Sequence, residues 1–440
     1  MDPNGTSVGT LPSVVAGELP NHVLVYVFPD HHTNQSEKMW GRVYLPRQAL
    51  DNNDPRMFEL PYTVTLKSNS SGCCLGMISN FNRPSLVFSP LPPQTGEPLI
   101  IKDDHVLMRR RVVQVIRVNS MEPSSSSEDP YKILNIIPNP DGTFTRLQNY
   151  PETPPSPDPT LPIPVLSKDL TIDQSKHTWA RIYLPRQALN TPPNHPNLPL
   201  IVFYHGGGFI FYHANSTYFH DFCVRMANAT QSVVVSVDYR LAPEHRLPAA
   251  YEDSVQALHW IRASNDLWLA HADFSRCYLM GESAGGNIAY NAGLRAAAEA
   301  DQIRPLKIKG MILIQPFFGG KKRTPSELRL AKDLNLPLTV TDSMWKLSLP
   351  VGVDRDHEYS NPTVNGGAKV LASIRELEWS VAVFGCDGDQ LVDRQKELVK
   401  LLKDKRVNVV GQFYNAGRHG IFVGDASMST KVFHLLKTLH

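Results

Sequence analysis

Two short glycine-rich runs contain the residue types that acyl transfer requires. His205-Gly206-Gly207-Gly208 comes first, and Gly281-Glu282-Ser283-Ala284-Gly285 follows, with Ser283 standing 75 residues after Gly208 (283 − 208). A serine between two glycines in G-x-S-x-G is the pattern of a sharp strand-to-helix turn that lifts a hydroxyl nucleophile clear of the backbone. The earlier glycines offer exposed backbone amides. A tetrahedral intermediate places full negative charge on the former carbonyl oxygen, and fixed N–H donors stabilise that charge without reorganising. Gly207, Gly208 and Ala284 are the expected donors of this oxyanion hole. A phosphate loop is the rival use of such glycines, but the lysine and Ser/Thr of G-x-x-x-x-G-K-[ST] are missing. Together the two runs are the equipment of ester hydrolysis.

A hydroxyl is a poor nucleophile at neutral pH, so a histidine must take its proton and an acid must orient that histidine. The expected chain order is serine, acid, histidine. Downstream of Ser283 stand His357, His419, His434 and His440. His419 sits in Ala416-Gly417-Arg418-His419-Gly420, a loop after the apolar stretch 407–414, which suits a general base. His434 falls on the helical pattern of Val432, Leu435, Leu436 and Leu439, His357 lies in a charged loop with no strand before it, and His440 is the last residue. His205, upstream, is read as a hydrogen-bonding support for its own loop. For the acid, Asp387, Asp389 and Asp393 all follow the strand-like Val381-Ala382-Val383-Phe384. Asp393 falls in a first helical turn, where the N-terminal dipole accounts for its charge. Spacing does not choose between Asp387 and Asp389.

The elements that must position these residues are legible around them. Leu200-Ile201-Val202-Phe203 precedes the glycine run, Cys277-Tyr278-Leu279-Met280 precedes the serine, and an alanine-rich helix is expected from Asn287 to Ala300. Val233 to Val237 and Gly310 to Ile314 are continuous apolar runs suited to strands buried on both faces. Val255, Leu258 and Ile261 line one side of a helix. Strands alternating with helices through 121–440 imply an α/β chain with a doubly wound sheet. Phe209 and Tyr212 are candidate pocket-lining or core residues, and Glu282 either supports the triad or turns away to another partner.

The segment Asp238-Tyr239-Arg240-Leu241-Ala242-Pro243-Glu244-His245-Arg246-Leu247-Pro248, lying between the two glycine runs, resembles that of the plant carboxylesterases of the hormone-sensitive-lipase group. The resemblance runs from about Met121 to His440, and Pro350 to Pro362 is similar to kiwifruit-type members. It implies an α/β-hydrolase fold: a mostly parallel central sheet, helices on both faces, and a lid over the site built near 121–175 and 320–350. In the family pattern D-P-L-x-D the first aspartate is the triad acid, which implies Asp389 in Asp389-Gln390-Leu391-Val392-Asp393, with Gln390 in place of proline. The implied triad is Ser283, Asp389 and His419. The implied activity is hydrolysis of small esters through an acyl-enzyme, with no cofactor and no metal. Relatives that resemble this chain act as 2-hydroxyisoflavanone dehydratases or as gibberellin receptors. The receptors have lost the catalytic histidine, whereas His419 is present here.

The 440 residues carry a net charge of +2 with 42% hydrophobic and 20% charged residues, a balance that offers no electrostatic case for nucleic acid or membrane as partner. No apolar run approaches the roughly 20 residues of a membrane span. Cys73, Cys74, Cys223, Cys277 and Cys386 are odd in number and lack metal-ligand spacing, so reduced thiols in the cytosol are expected. The first 120 residues contain a partial repeat. Trp40-Gly41-Arg42-Val43-Tyr44-Leu45-Pro46-Arg47-Gln48-Ala49-Leu50 returns as Trp179-Ala180-Arg181-Ile182-Tyr183-Leu184-Pro185-Arg186-Gln187-Ala188-Leu189, and the first copy never reaches a His-Gly-Gly-Gly. Residues 1–120 are expected to be a truncated duplicate joined to a complete enzyme, poorly ordered or a fusion artefact, with the hydrolase domain in 121–440.

Overall fold

The computed structural model describes residues 129–439 apart from 191, 193–196 and 365–366, together with the backbone of six short strands between residues 18 and 87. The chain divides into two units, residues 1–125 and 126–440. In the first unit Gly41–Pro46 pairs antiparallel with His22–Val27, so part of the first repeat copy is strand backbone. The other residues of that copy, and the expectation of poor order for 1–120, lie outside the described residues.

The second unit is built on eight strands. They are β1 (Val165–Asp173), β2 (Thr178–Pro185), β3 (Leu198–Tyr204), β4 (Val233–Asp238), β5 (Ala272–Glu282), β6 (Ile308–Ile314), β7 (Ser380–Cys386) and β8 (Asn408–Tyr414). Their order across the sheet is β8-β7-β6-β5-β3-β4-β2-β1. The six strands from β8 to β4 run parallel, and β2 and β1 close one edge antiparallel. Parallel strands need both faces covered, which explains their unbroken apolar runs. In β3 the side chains alternate between the two layers, with Leu200, Val202 and Tyr204 on one face and Ile201 and Phe203 on the other.

The first layer buries α2 (Ala249–Ala263) through Tyr251, Leu258 and Ile261, and α3 (Ala284–Ala298) through Ile288, Ala289 and Tyr290. The opposite layer buries α1 (Thr217–Thr230) through Phe219, Phe222 and Met226, together with Val432, Phe433 and Leu436 of the C-terminal helix. The helix expected from Asn287 starts a turn earlier, at Ala284. Ser283 is its N-cap, so the elbow and the helix start are one feature. Among the described residues no helix is long and apolar enough to cross a membrane.

Two pieces come from the regions expected to form a lid. The first comprises the short helix Pro130–Ile133, the hairpin of Ile136–Pro138 with Phe144–Arg146, and a proline-rich segment from Pro151 to Pro164 that contains no helix. The second contains α4 (Leu338–Ser348), on which Pro130–Ile133 packs. Arg146 fastens the first piece down. Its Nε donates to Ile210 O (2.7 Å), its Nη2 to Ala242 O (2.8 Å), and its two terminal nitrogens clasp the Glu244 carboxylate at 2.8 and 2.7 Å. Lys321 and Lys322 are exposed, while Arg323 pairs with Asp342 on α4.

Candidate active site

The C-terminal ends of β3, β5, β7 and β8 converge on one point. Ser283 connects β5 to α3 with φ 54° and ψ −118°, a region that costs a non-glycine residue on the order of 1–3 kcal/mol. Three backbone hydrogen bonds hold it there. Its N–H donates to Ile314 O (2.9 Å), and its carbonyl accepts from Asn287 (3.1 Å) and Phe317 (2.8 Å). Helix and strand can cross this closely because residue 285 is glycine: a Cβ there would lie 1.9 Å from Tyr204 O.

The glycine loop expected to bind the oxyanion follows β3. Gly207 (φ 104°) and Gly208 (φ 65°) occupy the left-handed region that favours glycine, and the amides of Ile210 and Phe211 close the turn onto Gly207 O at 3.1 and 3.0 Å. The N–H groups of Gly207 and Gly208 have no protein acceptor among the described residues. Ala284, as the first residue of α3, has no intrahelical acceptor for its N–H. His205 is fully buried and stacks on Tyr239 with ring centroids 4.3 Å apart. Its Nδ1 lies 2.9 Å from Gly206 O, and burial lowers its pKa to about 4, so it is a neutral support for the loop.

His419 lies in the turn after β8. Its Nε2 is 2.8 Å from Ser283 Oγ, and its Nδ1 is 3.0 Å from Asp389 Oδ2. Asp389 is completely buried and also accepts from Gln315 Nε2 (2.8 Å), Gln395 Nε2 (2.9 Å) and the Leu391 N–H (3.0 Å). Burial alone would raise its pKa, but His419, the Leu391 N–H and Gln395 outweigh that and hold it below the usual value. For His419, burial opposes the imidazolium. The Asp389 carboxylate, aided by Glu282 and Asp333, overcomes this and pushes the pKa up to about 9. Of the alternatives, Asp387 is exposed and pairs with Lys396 (3.3 Å), while Asp393 accepts from the Ser326 N–H (2.7 Å) in the first turn of the helix Val392–Asp404.

Several neighbours were hidden in the sequence. Glu282 faces the site rather than turning away. Its carboxylate lies near His419, and burial raises its pKa to about 7. Asn335, in the second cover piece, donates to His419 O (2.9 Å), and Tyr218 donates to Gly420 O (2.6 Å). Phe209 is core, 1% exposed and packed against Phe317 and Trp345. Tyr212 is half-buried and lies against Tyr150 with ring centroids 3.9 Å apart and planes tilted by 35°. Of these residues, Glu282, Phe209 and Tyr212 had a signal in the sequence, namely their places beside the serine and just after the glycine run, whereas Asn335 had none.

Among the described residues no cluster of three or more His, Cys, Asp or Glu side chains could hold a metal. A surface groove of about 720 Å³, lined by Tyr414, Lys431, Phe433 and His434, includes none of Ser283, Asp389 and His419, so concavity alone does not find the chemistry. The hydrogen-bonded row of hydroxyl, imidazole and carboxylate beside unpaired amides is suited to acyl transfer.

A family model described as the alpha/beta hydrolase fold matches residues 201–423. Carboxylesterase 20 of Arabidopsis thaliana is 50% identical over 320 residues, covering 72% of this chain and 98% of that relative. The gibberellin receptor GID1B of the same plant is more distant, 35% identical over 288 residues, covering 62% and 77%. Among solved structures, an esterase of Pyrobaculum calidifontis matches with a TM-score of 0.53 at 27% identity, covering 64% of this chain and 87% of that one.

Proposed function

This chain belongs to the α/β-hydrolase fold family and, within it, to the plant carboxylesterases, and from that premise we propose a serine carboxylesterase in which Ser283 is the nucleophile, His419 the base and Asp389 its orienting acid. The observation that carries the reading is the unbroken row from Ser283 Oγ through both nitrogens of His419 to Asp389 Oδ2. With Nδ1–H donated to the carboxylate, Nε2 is free to accept the serine proton. Oγ then attacks the ester carbonyl, and the amides of Gly207, Gly208 and Ala284 receive the developing oxyanion at the N-terminus of α3. The imidazolium returns its proton to the departing alcohol. Water repeats the sequence on the acyl-enzyme.

Access is narrow, with Ser283 only 7% exposed, which supports small esters as substrates. We place the enzyme in the cytosol, a reading supported by the free thiols of Cys223, Cys277 and Cys386. Residues 121–440 are the proposed hydrolase domain, with the pieces near 121–175 and 320–350 as its lid. The test is hydrolysis of p-nitrophenyl acetate and butyrate by the full chain, beside Ser283→Ala. Turnover lost in the alanine variant is the expected result. Turnover that survives it would overturn the assignment, and a folded wild type that only retains a small acid, or only eliminates water from a hydroxylated substrate, would point to the receptor or dehydratase chemistry.

A further inference from the structure

We propose that Gln315 is a positioning residue for this reaction, its side-chain amide clasping the acid and the histidine-bearing turn so that the imidazole stays in line with Ser283. The inference rests on the triad proposed above. Gln315 follows directly after β6, the strand that lies between β5, which carries the nucleophile, and β7, which leads to the acid. It is completely buried, and its backbone is held at φ 42° with its N–H on Phe384 O (2.8 Å).

The side chain makes contacts on both sides of the base. Nε2 donates to Asp389 Oδ2 (2.8 Å) and to Arg418 O (3.2 Å), and Oε1 accepts the Gly420 N–H (2.9 Å). The peptide groups immediately before and after His419 therefore end on the amide that also binds its carboxylate partner. Cys386 Sγ lies 3.4 Å from the same nitrogen. The partners fix the amide orientation, since a flipped group would set its oxygen against a carboxylate and a carbonyl. The arrangement demands two donors and one acceptor in one planar group, which the amide supplies: an ionised glutamate has no donor, and methionine has no donor and only a weakly accepting sulfur. Gln395 reaches only the carboxylate and therefore serves as a control.

The experiment compares full-length wild type, Ser283→Ala, Gln315→Met, Gln315→Glu and Gln395→Met on p-nitrophenyl acetate, with kcat expressed per site titrated by a fluorophosphonate. Gln315→Met is expected to lower kcat about 100-fold, the scale of an ångström-sized misplacement of a catalytic group, with KM unchanged because Gln315 does not meet substrate. Gln395→Met is expected to lose less. Gln315→Glu sets a further negative charge beside the pair, so its acid limb is expected to move up by about 1 pH unit. Wild-type kcat per titrated site in Gln315→Met overturns the proposal, as does an unshifted limb in Gln315→Glu. The glutamate variant, nearly isosteric, decides the matter where the methionine variant does not fold. Activity that persists in Ser283→Ala is a different failure and removes the triad itself.

Discussion

The Glu282 carboxylate approaches within 3.7 Å of His419 Nε2, the ring nitrogen that faces Ser283, while Asp389 holds Nδ1. The imidazole is thus flanked by two acids, with Asp333 adding a more distant negative charge. Both neighbours favour the imidazolium, whereas the proposed base must be neutral to take the serine proton. Activity should therefore rise with pH, its acid limb displaced toward about 9. Glu282→Gln removes one negative charge, makes the imidazolium easier to deprotonate, and should move that limb to lower pH. A pH profile of kcat/KM for both proteins checks this, and a limb that stays in place or rises would count against the electrostatic role of Glu282.

Asp389 and Asp387 are two residues apart yet should behave as unrelated. Asp389→Asn is expected to reduce kcat by about 10⁴-fold, because the amide no longer fixes the imidazole tautomer. Asp387→Asn loses only an exposed pair with Lys396, and its kcat should stay within about twofold of wild type, since such pairs contribute little. Steady-state kinetics on the two purified variants separates them.

Gly285→Ala tests the crossing beneath the nucleophile. Its Cβ would lie 1.9 Å from Tyr204 O and 2.6 Å from His205 O, both backbone atoms. Pushing α3 away from β3 should cost about 1–3 kcal/mol of stability, as overpacking does. It should also misalign Ser283, so fluorophosphonate labelling of still-folded protein should slow. Thermal unfolding and labelling rates measure the two effects.

Arg146→Ala releases the hairpin of Ile136–Pro138 with Phe144–Arg146 from the glycine loop after β3. Four hydrogen bonds are lost, and Glu244 is left without the only cation paired with it among the described residues. With both side chains less than a quarter exposed, the expected loss of stability is about 1.5–3 kcal/mol. Because Ile210 O is one of the acceptors, kcat should fall as well. Calorimetry alongside kinetics checks both, and a stable variant with normal kcat would show the hairpin to be dispensable.

What could be read in the sequence was what is encoded locally. The elbow at Ser283, the amides of Gly207 and Gly208, and the strands flanking them are consecutive residues whose geometry follows from their own types. Distinguishing Asp389 from Asp387 needed the family resemblance, because both follow the same strand and only burial against Gln315 and Gln395 separates them. Gln315 itself gave no local signal. Its partners lie 74 and more than 100 residues away in the chain and meet only when β6, β7 and β8 are assembled. Phe209 could not be placed either, since pocket walls and cores use the same side chains until Phe317 and Trp345 are seen around it.

Asn335, in the second of the two pieces expected to form a lid, donates to the carbonyl of His419, and Gln390, the neighbour of Asp389, donates to Leu336 O in that same piece. A displacement of residues 335–336 would therefore disturb the turn that carries His419 and the residue beside Asp389 in one motion.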